Sequence, residues 1–345
     1  MQFHKWSRPL IKGGISAVAV VLALSGCASV SGTGTGSSAK PNHQIVIGYA
    51  GPTLTNAFFV GLNQGISEGT KKLGYKLIST NANGDASQQF NDATNLLSRG
   101  IDVLILSPID AKAITPAVKQ ANAAKIPVFT LDRGSDGGTI TSFVASDNVA
   151  AGKTAADWIA KTLTAKNGSA KGNVVNLVGL VGTTAATDRD KGFKEGLKAY
   201  PGIKIVAEQE GGFDQEKSLN AMTNILQANS QIDAVFGAND DNTVGAERAI
   251  DGANRFKPIG DPGHIAIIGI DGTAQALSAI RAGKQDATIS QNPIKMAEKS
   301  LTFVSEYVAG KTVPATYAWP TFLLDSKNID GPEAKAYGLW SAEIK

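Results

Sequence analysis

The chain has 345 residues and a single cysteine, Cys27. After it there is no thiol, so the rest of the chain can hold no internal disulfide, no cysteine-ligated zinc and no cysteine nucleophile. Histidine is nearly as scarce: His4 lies in the first dozen residues, His43 in a small-residue stretch, and His264 opens an apolar run. A Ser-His-Asp triad or a histidine-rich metal site would therefore rest on His264 alone. Following Gly263 at a strand start, it reads as a surface histidine. Positive charge is also missing where a nucleic-acid binder needs it. The formal net charge is +3, and Lys5, Arg8 and Lys12 supply it; after residue 26, 30 basic residues face 30 acidic ones. A neutral body has no cluster with which to displace counterions from nucleic acid, nor a polybasic face for a membrane surface. No Gly-x-Gly-x-x-Gly follows a strand and no Gly-x-x-x-x-Gly-Lys-Ser/Thr occurs, which removes the dinucleotide fingerprint and the phosphate loop.

What the chain does have begins at its N-terminus. Three positive charges in residues 1–14 precede an apolar run from Ile15 to Leu24. That length suits the apolar part of an export signal and is too short for a helix across a hydrocarbon core of about 30 Å. The run ends in Leu24-Ser25-Gly26-Cys27, which is similar to the lipobox of bacterial lipoproteins. The likeness implies a signal peptide over 1–26 and a lipid on Cys27. Residues 27–43 are rich in Ser, Thr and Gly and have little to bury, so they read as a flexible tether.

From Gln44 onward, short apolar runs alternate with amphipathic stretches. Strands are expected at Ile45–Tyr49, Lys76–Ser79, Val103–Leu106, Val128–Leu131, Val174–Val178, Ile203–Ala207, Ala234–Phe236, Ile265–Ile268 and Thr288–Ser290. Helical periodicity marks Phe58–Leu73, Ser87–Ser98, Ala111–Ala123, Val149–Leu163, Asp190–Ala199, Glu216–Ala228 and Thr243–Ala249, with Trp158 on a core face. Continuously apolar strands linked by helices predict an α/β protein with parallel sheets covered on both faces. Nine strands dividing near Ser146 predict two similar lobes. With 42% hydrophobic residues, the chain can bury both cores.

In open α/β sheets, ligands sit outside the carboxyl ends of the strands. Those ends carry Asn56, Phe58 and Phe59, then Ser107, then Asp132 and Arg133; in the second half they carry Arg189, Phe213, Asn239, Asp271 and Gln291. Each has a structural alternative. Asn239, Asp271, Asp188 and Asp240 could cap the helices that follow, Phe58 and Phe59 could be core, and Arg189 could be a solvated helix arginine. The alternatives do not explain why carboxylates, amides, arginines and aromatics recur at the same end of both lobes. That set suits a neutral polyhydroxylated ligand: charge-assisted bonds to hydroxyls, rings against C–H faces, and two aspartates balanced by two arginines.

The stretches Asn56-Ala57-Phe58-Phe59, Thr130-Leu131-Asp132-Arg133, Ala145-Ser146-Asp147-Asn148, Ala238-Asn239-Asp240, Ile270-Asp271-Gly272-Thr273 and Ala287-Thr288-Ile289-Ser290-Gln291 resemble the ribose-binding branch of the type I periplasmic binding proteins, from about Gln44 to about Leu324. The resemblance implies an N-terminal lobe of 44–146 plus 292–320 and a C-terminal lobe of 147–291 plus 321–345, joined by a three-segment hinge. It implies a monosaccharide, a ribose-like pentose or a hexose, held by Asn56, Phe58, Phe59, Asp132, Arg133, Arg189, Phe213, Asn239, Asp271 and Gln291. It also implies no cofactor, no catalysis, a monomer, and delivery to an ABC transporter permease and its ATPase. The family's ribose binders carry asparagine where this chain has Ser107 and proline where it has Ala57. The shorter Ser107 leaves room for an extra substituent, and beyond Pro320 the tail diverges.

Two other classes stand beside this one. A sugar-processing enzyme would use Asp132 and Asp271 as an acid–base pair, but an arginine or backbone partner is expected to hold each ionised, where a general acid needs a raised pKa. A sugar-responsive repressor would need a basic helix-turn-helix where the export signal stands. A polyol or signal-sugar receptor feeding a chemosensory system remains compatible with the sequence.

Overall fold

The computed structural model describes residues 43–340. The export signal, Cys27 and the tether up to residue 42 lie outside the described residues. The first half runs β1 (Val46–Gly51), α1 (Ala57–Lys72), β2 (Lys76–Asn81), α2 (Ala86–Ser98), β3 (Val103–Leu106), α3 (Thr115–Ala123), β4 (Val128–Leu131) and β5 (Ser142–Ser146). It continues through α4 (Asn148–Asn167), β6 (Lys171–Val178), α5 (Thr184–Leu197), β7 (Gly202–Glu210), α6 (Gln215–Ala228), β8 (Ala234–Gly237), α7 (Asp240–Gly252), β9 (Ala266–Asp271), α8 (Ala274–Arg281) and β10 (Ala287–Ser290). It closes with α9 (Pro293–Val308), β11 (Thr316–Trp319) and β12 (Phe322–Asp325).

The strands form two six-stranded sheets, ordered β11-β5-β4-β3-β1-β2 and β12-β10-β9-β8-β6-β7. Every neighbouring pair is parallel except β10 and β12. This is the expected pair of α/β lobes. In each, the central strands are buried on both faces, which is why they read as unbroken apolar runs. One face of the first sheet packs Ile47, Tyr49 and Ile105 with Leu62 and Ile66 of α1 and Leu301 of α9; the other packs Leu104 and Leu106 under Leu96 and Val118. The second lobe repeats this with Ile159 and Phe193 on one side and Met222 and Ile250 on the other.

The chain passes between the layers three times. It leaves the first sheet after β5, leaves the second after β10 so that α9 packs on α1, and crosses again at Pro320 and Thr321, which separate β11 in one sheet from β12 in the other.

All nine expected strands form. β5, β11 and β12 join them unforeseen: β5 follows a turn rich in Gly and Ser, and β11 and β12 are four-residue edge strands on either side of a proline, the apolar run of β12 being only Phe322 to Leu324. α3 starts at Thr115 rather than Ala111, because Pro116 in its first turn has no N–H and cannot be accommodated further inside a helix. α5 starts earlier than expected, capped by Thr183, so Asp188 lies within the helix and does not cap it. Trp158 is half-buried against the second-lobe core.

His264 departs from its reading as a surface residue. It is buried, with Nε2 at 3.0 Å from Asp286 Oδ1 and Nδ1 at 2.7 Å from the Lys257 carbonyl. The loop that precedes β9 folds its own carbonyl onto the ring, and the carboxylate just before β10 takes the other nitrogen. Among the described residues, no helix is long and apolar enough to cross a membrane.

Candidate functional site

Eight of the nine described helices are N-capped by an Asn, Asp or Thr side chain that accepts a backbone N–H. These caps follow the carboxyl ends of strands or the crossings, so the polar residues seen there in the sequence are partly structural. Asn56 caps α1 through Oδ1 and Asn239 caps α7. Both have a second function because an amide has a donor to spare. Asn56 Nδ2 reaches Asp241, and Asn239 Nδ2 reaches Asp271 Oδ2 at 3.3 Å. Asp271 caps nothing; Thr273 takes that role for α8.

A narrow cavity between the lobes is lined by Asn56, Phe58, Phe59, Asp132 and Arg133 from the first, Ala185, Arg189, Phe213, Asn239 and Asp271 from the second, and Gln291 at a crossing. Ten of the eleven residues singled out by sequence thus meet at one place. Ser107 stands apart: it is fully buried, and its Oγ donates to the Leu131 carbonyl at 2.7 Å, beneath the turn that presents Asp132. Phe58 and Phe59, at the start of α1, are both core and wall, meeting edge to face at 5.4 Å and joining the core cluster of Ile47, Tyr49 and Leu301.

The arginines are built in. The Arg133 guanidinium lies 4.7 Å from the centre of the Phe59 ring and, across the lobes, 5.3 Å from that of Phe213, which Arg189 of the same lobe as Phe213 approaches at 5.6 Å. Arg189 is no solvated helix arginine: Nε donates to Asn148 Oδ1 at 2.8 Å and a terminal nitrogen to the Ala238 carbonyl at 2.7 Å. Two glycines allow this. A Cβ on Gly152 would sit 2.3 Å from the Arg189 carbonyl and one on Gly192 2.1 Å from that of Val149, so only bare backbones let α5 lie against α4.

Three buried polar atoms in this lining have no hydrogen-bond partner: Asp132 Oδ1, Arg133 Nε and Gln291 Oε1. Orphaned buried groups are costly and rare, so their convergence in one cavity points to a polar guest. The backbone is strained at the same place. Asp132 (φ 66°), Phe213 (φ 60°), Asp271 (φ 139°) and the crossing residue Asn292 (φ 46°) all have positive φ, a conformation that persists in non-glycine residues only where the surroundings enforce it.

The charges overturn one expectation. Burial pushes the Asp132 carboxyl up against the pull of Arg133 and Arg189. Burial likewise drives Asp271 well above the usual carboxylate range, with Asp240, Asp241 and Asp132 adding to it and Arg189 opposing. The arginines stand too far away to offset the lost hydration, at 3.6 Å for Arg133–Asp132 and 3.9 Å for Arg189–Asp271. A raised pKa therefore does not by itself separate an enzyme from a binder here.

The residues matched by the periplasmic binding protein domain run from 47 to 312, across both lobes and all three linings of the cleft. The chain belongs to the periplasmic binding protein family. Ribose import binding protein RbsB of Salmonella typhimurium is 37% identical over 265 residues, covering 77% of this chain and 85% of that protein. The RbsB of Bacillus subtilis is 36% identical over 295 residues, covering 84% and 92%. An ABC transporter solute-binding protein of Mycobacterium smegmatis, solved with bound glycerol, superposes with a TM-score of 0.76 at 30% identity over 83% of this chain and 96% of that one. The family's two-lobe type I fold is the architecture seen here.

Sequence reasoning missed three supports of this periplasmic-binding-protein cleft. Asp240 is a buried hub that accepts from the backbone of Gly272 and Thr273 and from the hydroxyls of Thr273 and Thr288. Asp241 bonds across the lobes. Trp340 reaches the cleft from the far tail, where the Leu339-Trp340 pair after Gly338 is the available signal.

Proposed function

We propose that this protein is an extracytoplasmic solute-binding lipoprotein that encloses a monosaccharide, a ribose-like pentose or a hexose, between its lobes and hands it to the permease of an ABC importer driven by its ATPase. The observation that carries the reading is the set of unpartnered atoms Asp132 Oδ1, Arg133 Nε and Gln291 Oε1 inside walls formed by Phe58, Phe59 and Phe213. Hydroxyls complete those bonds and the rings cover C–H faces. When both aspartates are ionised they balance the two arginines and leave no net charge to attract an ionic guest. The names of the RbsB relatives support ribose as the first sugar to test.

Binding without conversion is the chemistry in this reading: Asp132 and Asp271 receive hydroxyl protons as hydrogen bonds and do not transfer them. Calorimetry with ribose, other pentoses, hexoses and polyols, followed by recovery of the sugar, tests it. Saturable binding of one monosaccharide recovered unchanged is expected. Conversion of the sugar, or no binding across the panel, overturns the reading.

The membrane attachment in this proposal rests on Leu24-Ser25-Gly26-Cys27 and the tether over 27–43. Cys27→Ser is expected to abolish incorporation of labelled fatty acid and leave sugar affinity unchanged; a still-labelled variant excludes the anchor.

A further inference from the structure

After β12 the chain makes a π-helical turn (Ala334–Gly338) and its described course ends at Trp340, which is fully buried. The Trp340 indole N–H donates to the Asp271 carbonyl at 2.7 Å, and the ring meets Phe58 edge-on, centroids 6.4 Å apart at 86°. One side chain from the tail of the second sheet thus touches both lobes at the cleft. The same Asp271 carbonyl accepts the Gln291 backbone N–H at 3.2 Å, so two donors converge on it. Two residues before Trp340, the Gly338 carbonyl accepts from Ser290 Oγ at 2.6 Å, and Leu339 packs on the cluster of Leu277, Ile280, Leu324 and Ile329. The tail is stapled to Ser290 and to Asp271, which pair with each other across β10 and β9 beside Gln291.

Asp271 needs such a hold. At φ 139° it adopts a backbone conformation that L-residues rarely take, and its carboxylate is aimed into the cavity while accepting from Gln291 Nε2 at 2.5 Å. A strained φ relaxes when the groups that enforce it are removed, and here relaxation would swing the carboxylate. A fully buried indole N–H must find an acceptor, and here the acceptor it takes is the carbonyl of the strained cleft residue Asp271.

We propose that Trp340 is a positioning residue for the cleft: its indole N–H fixes the Asp271 backbone and, through it, holds the Asp271 carboxylate and Gln291 where a sugar hydroxyl meets them. The inference rests on the reading of the cleft as a sugar site and adds the tail as part of it.

Trp340→Phe keeps an aromatic ring against Phe58 and removes the donor. In the purified protein this variant is expected to raise the Kd for ribose about tenfold, the worth of one buried hydrogen bond. Amide exchange at Gly272 and Gln291 in the sugar-free protein should quicken, a readout independent of any sugar. In an Asp271→Ala background, where only Gln291 is left for it to hold, Trp340→Phe should cost less affinity than it does in the unaltered protein. Ile329→Ala, which loosens the same tail without touching Asp271, should lower the Tm and leave the Kd in place. Ser290→Ala, which removes the neighbouring staple, should shift Kd and Gln291 exchange in the same direction as Trp340→Phe, and it decides the matter if that variant does not fold. Unchanged exchange in the folded variants, or an undiminished loss of affinity on the Asp271→Ala background, overturns the proposal. If the unaltered protein binds no sugar, the reading of the cleft fails, and exchange at Gln291 still decides the role of Trp340.

Discussion

Asn56 Nδ2 lies 2.5 Å from a carboxylate oxygen of Asp241, a hydrogen bond from the start of α1 in one lobe to α7 in the other. The other oxygen of Asp241 accepts from Gln215 at 2.7 Å. Two backbone donors span the same gap: Ala111 N–H to the Gly182 carbonyl at 3.0 Å and Gly134 N–H to Thr184 Oγ1 at 3.1 Å. The closed arrangement therefore has contacts of its own, and a sugar adds to them by its greater affinity for the closed form.

Removing that carboxylate should open the protein. Asp241→Ala leaves the Asn56 amide without its cross-lobe partner, at a cost of about 1–2 kcal/mol to the closed form. The sugar-free variant is expected to show a larger radius of gyration in small-angle scattering and a correspondingly weaker Kd. Identical scattering and affinity would show that the bond does not bear on closure.

Asp132 should matter through what it leaves behind. Its Oδ1 has no protein partner, and Arg133 is buried beside it. Asp132→Ala removes a hydroxyl acceptor and strands a buried guanidinium, so binding should weaken on the order of 2–4 kcal/mol in calorimetry. An unaltered Kd would reduce Asp132 to a structural ion pair.

The contrast between Asp132 and Trp340 shows what the sequence could and could not reveal. The apolar runs of β1, β3, β4, β8 and β9 are buried on both faces, and periodicity reads burial directly. Asp132, Arg133, Asn239 and Asp271 stand at or just beyond the ends of such runs, so the rule that ligands sit at carboxyl ends places them. Ser107 obeys the same rule yet turns beneath the sheet to bond the Leu131 carbonyl, because which way a residue faces after a strand depends on a backbone turn that sequence does not record. Trp340 and Asp241 are set by long-range packing, 69 residues from Asp271 and 185 from Asn56, and no local pattern carries that. Nor does any pattern announce positive φ at Asp132, Phe213 and Asp271, since none of the three is glycine.

Away from the cleft, Glu247 on α7 faces a cavity of about 220 Å³ lined with Ile250, Ile265, Ile267 and Phe256. Its Oε1 is buried without a hydrogen-bond partner, and burial pushes the carboxyl up to about 7, with Asp240 and Asp286 adding to it and Lys284 opposing. A carboxyl whose pKa is raised on folding favours the native state below the unfolded pKa of about 4.3, and that contribution is lost as pH rises through about 7. Glu247→Gln should therefore stabilise the protein at about pH 8, on the order of 2 kcal/mol, and leave it unimproved below about pH 4.5. Melting temperatures at the two pH values check this; an equal gain at both would assign the effect to packing.

The same physics makes sugar binding sensitive to acid. Burial holds the Asp271 carboxyl well above its usual range, so it takes up its proton at a higher pH than an exposed aspartate does. Gln291 Nε2 and Asn239 Nδ2 both donate to it, and a sugar hydroxyl would be a third donor, so the ionised form is the one a ligand favours. A neutral sugar has no titration of its own in this range, and any pH dependence of its binding belongs to the cleft. Affinity should fall as pH is lowered through the protonation of Asp271, by at most about tenfold per pH unit for one linked proton. Asp132, raised for the same reason, adds a second and separable contribution. Calorimetry across that range should show the slope in the unaltered protein and a shallower one in Asp271→Asn, whose amide cannot ionise. Equal slopes in the two proteins would place the titrating group elsewhere, with Asp132→Asn the next variant to measure.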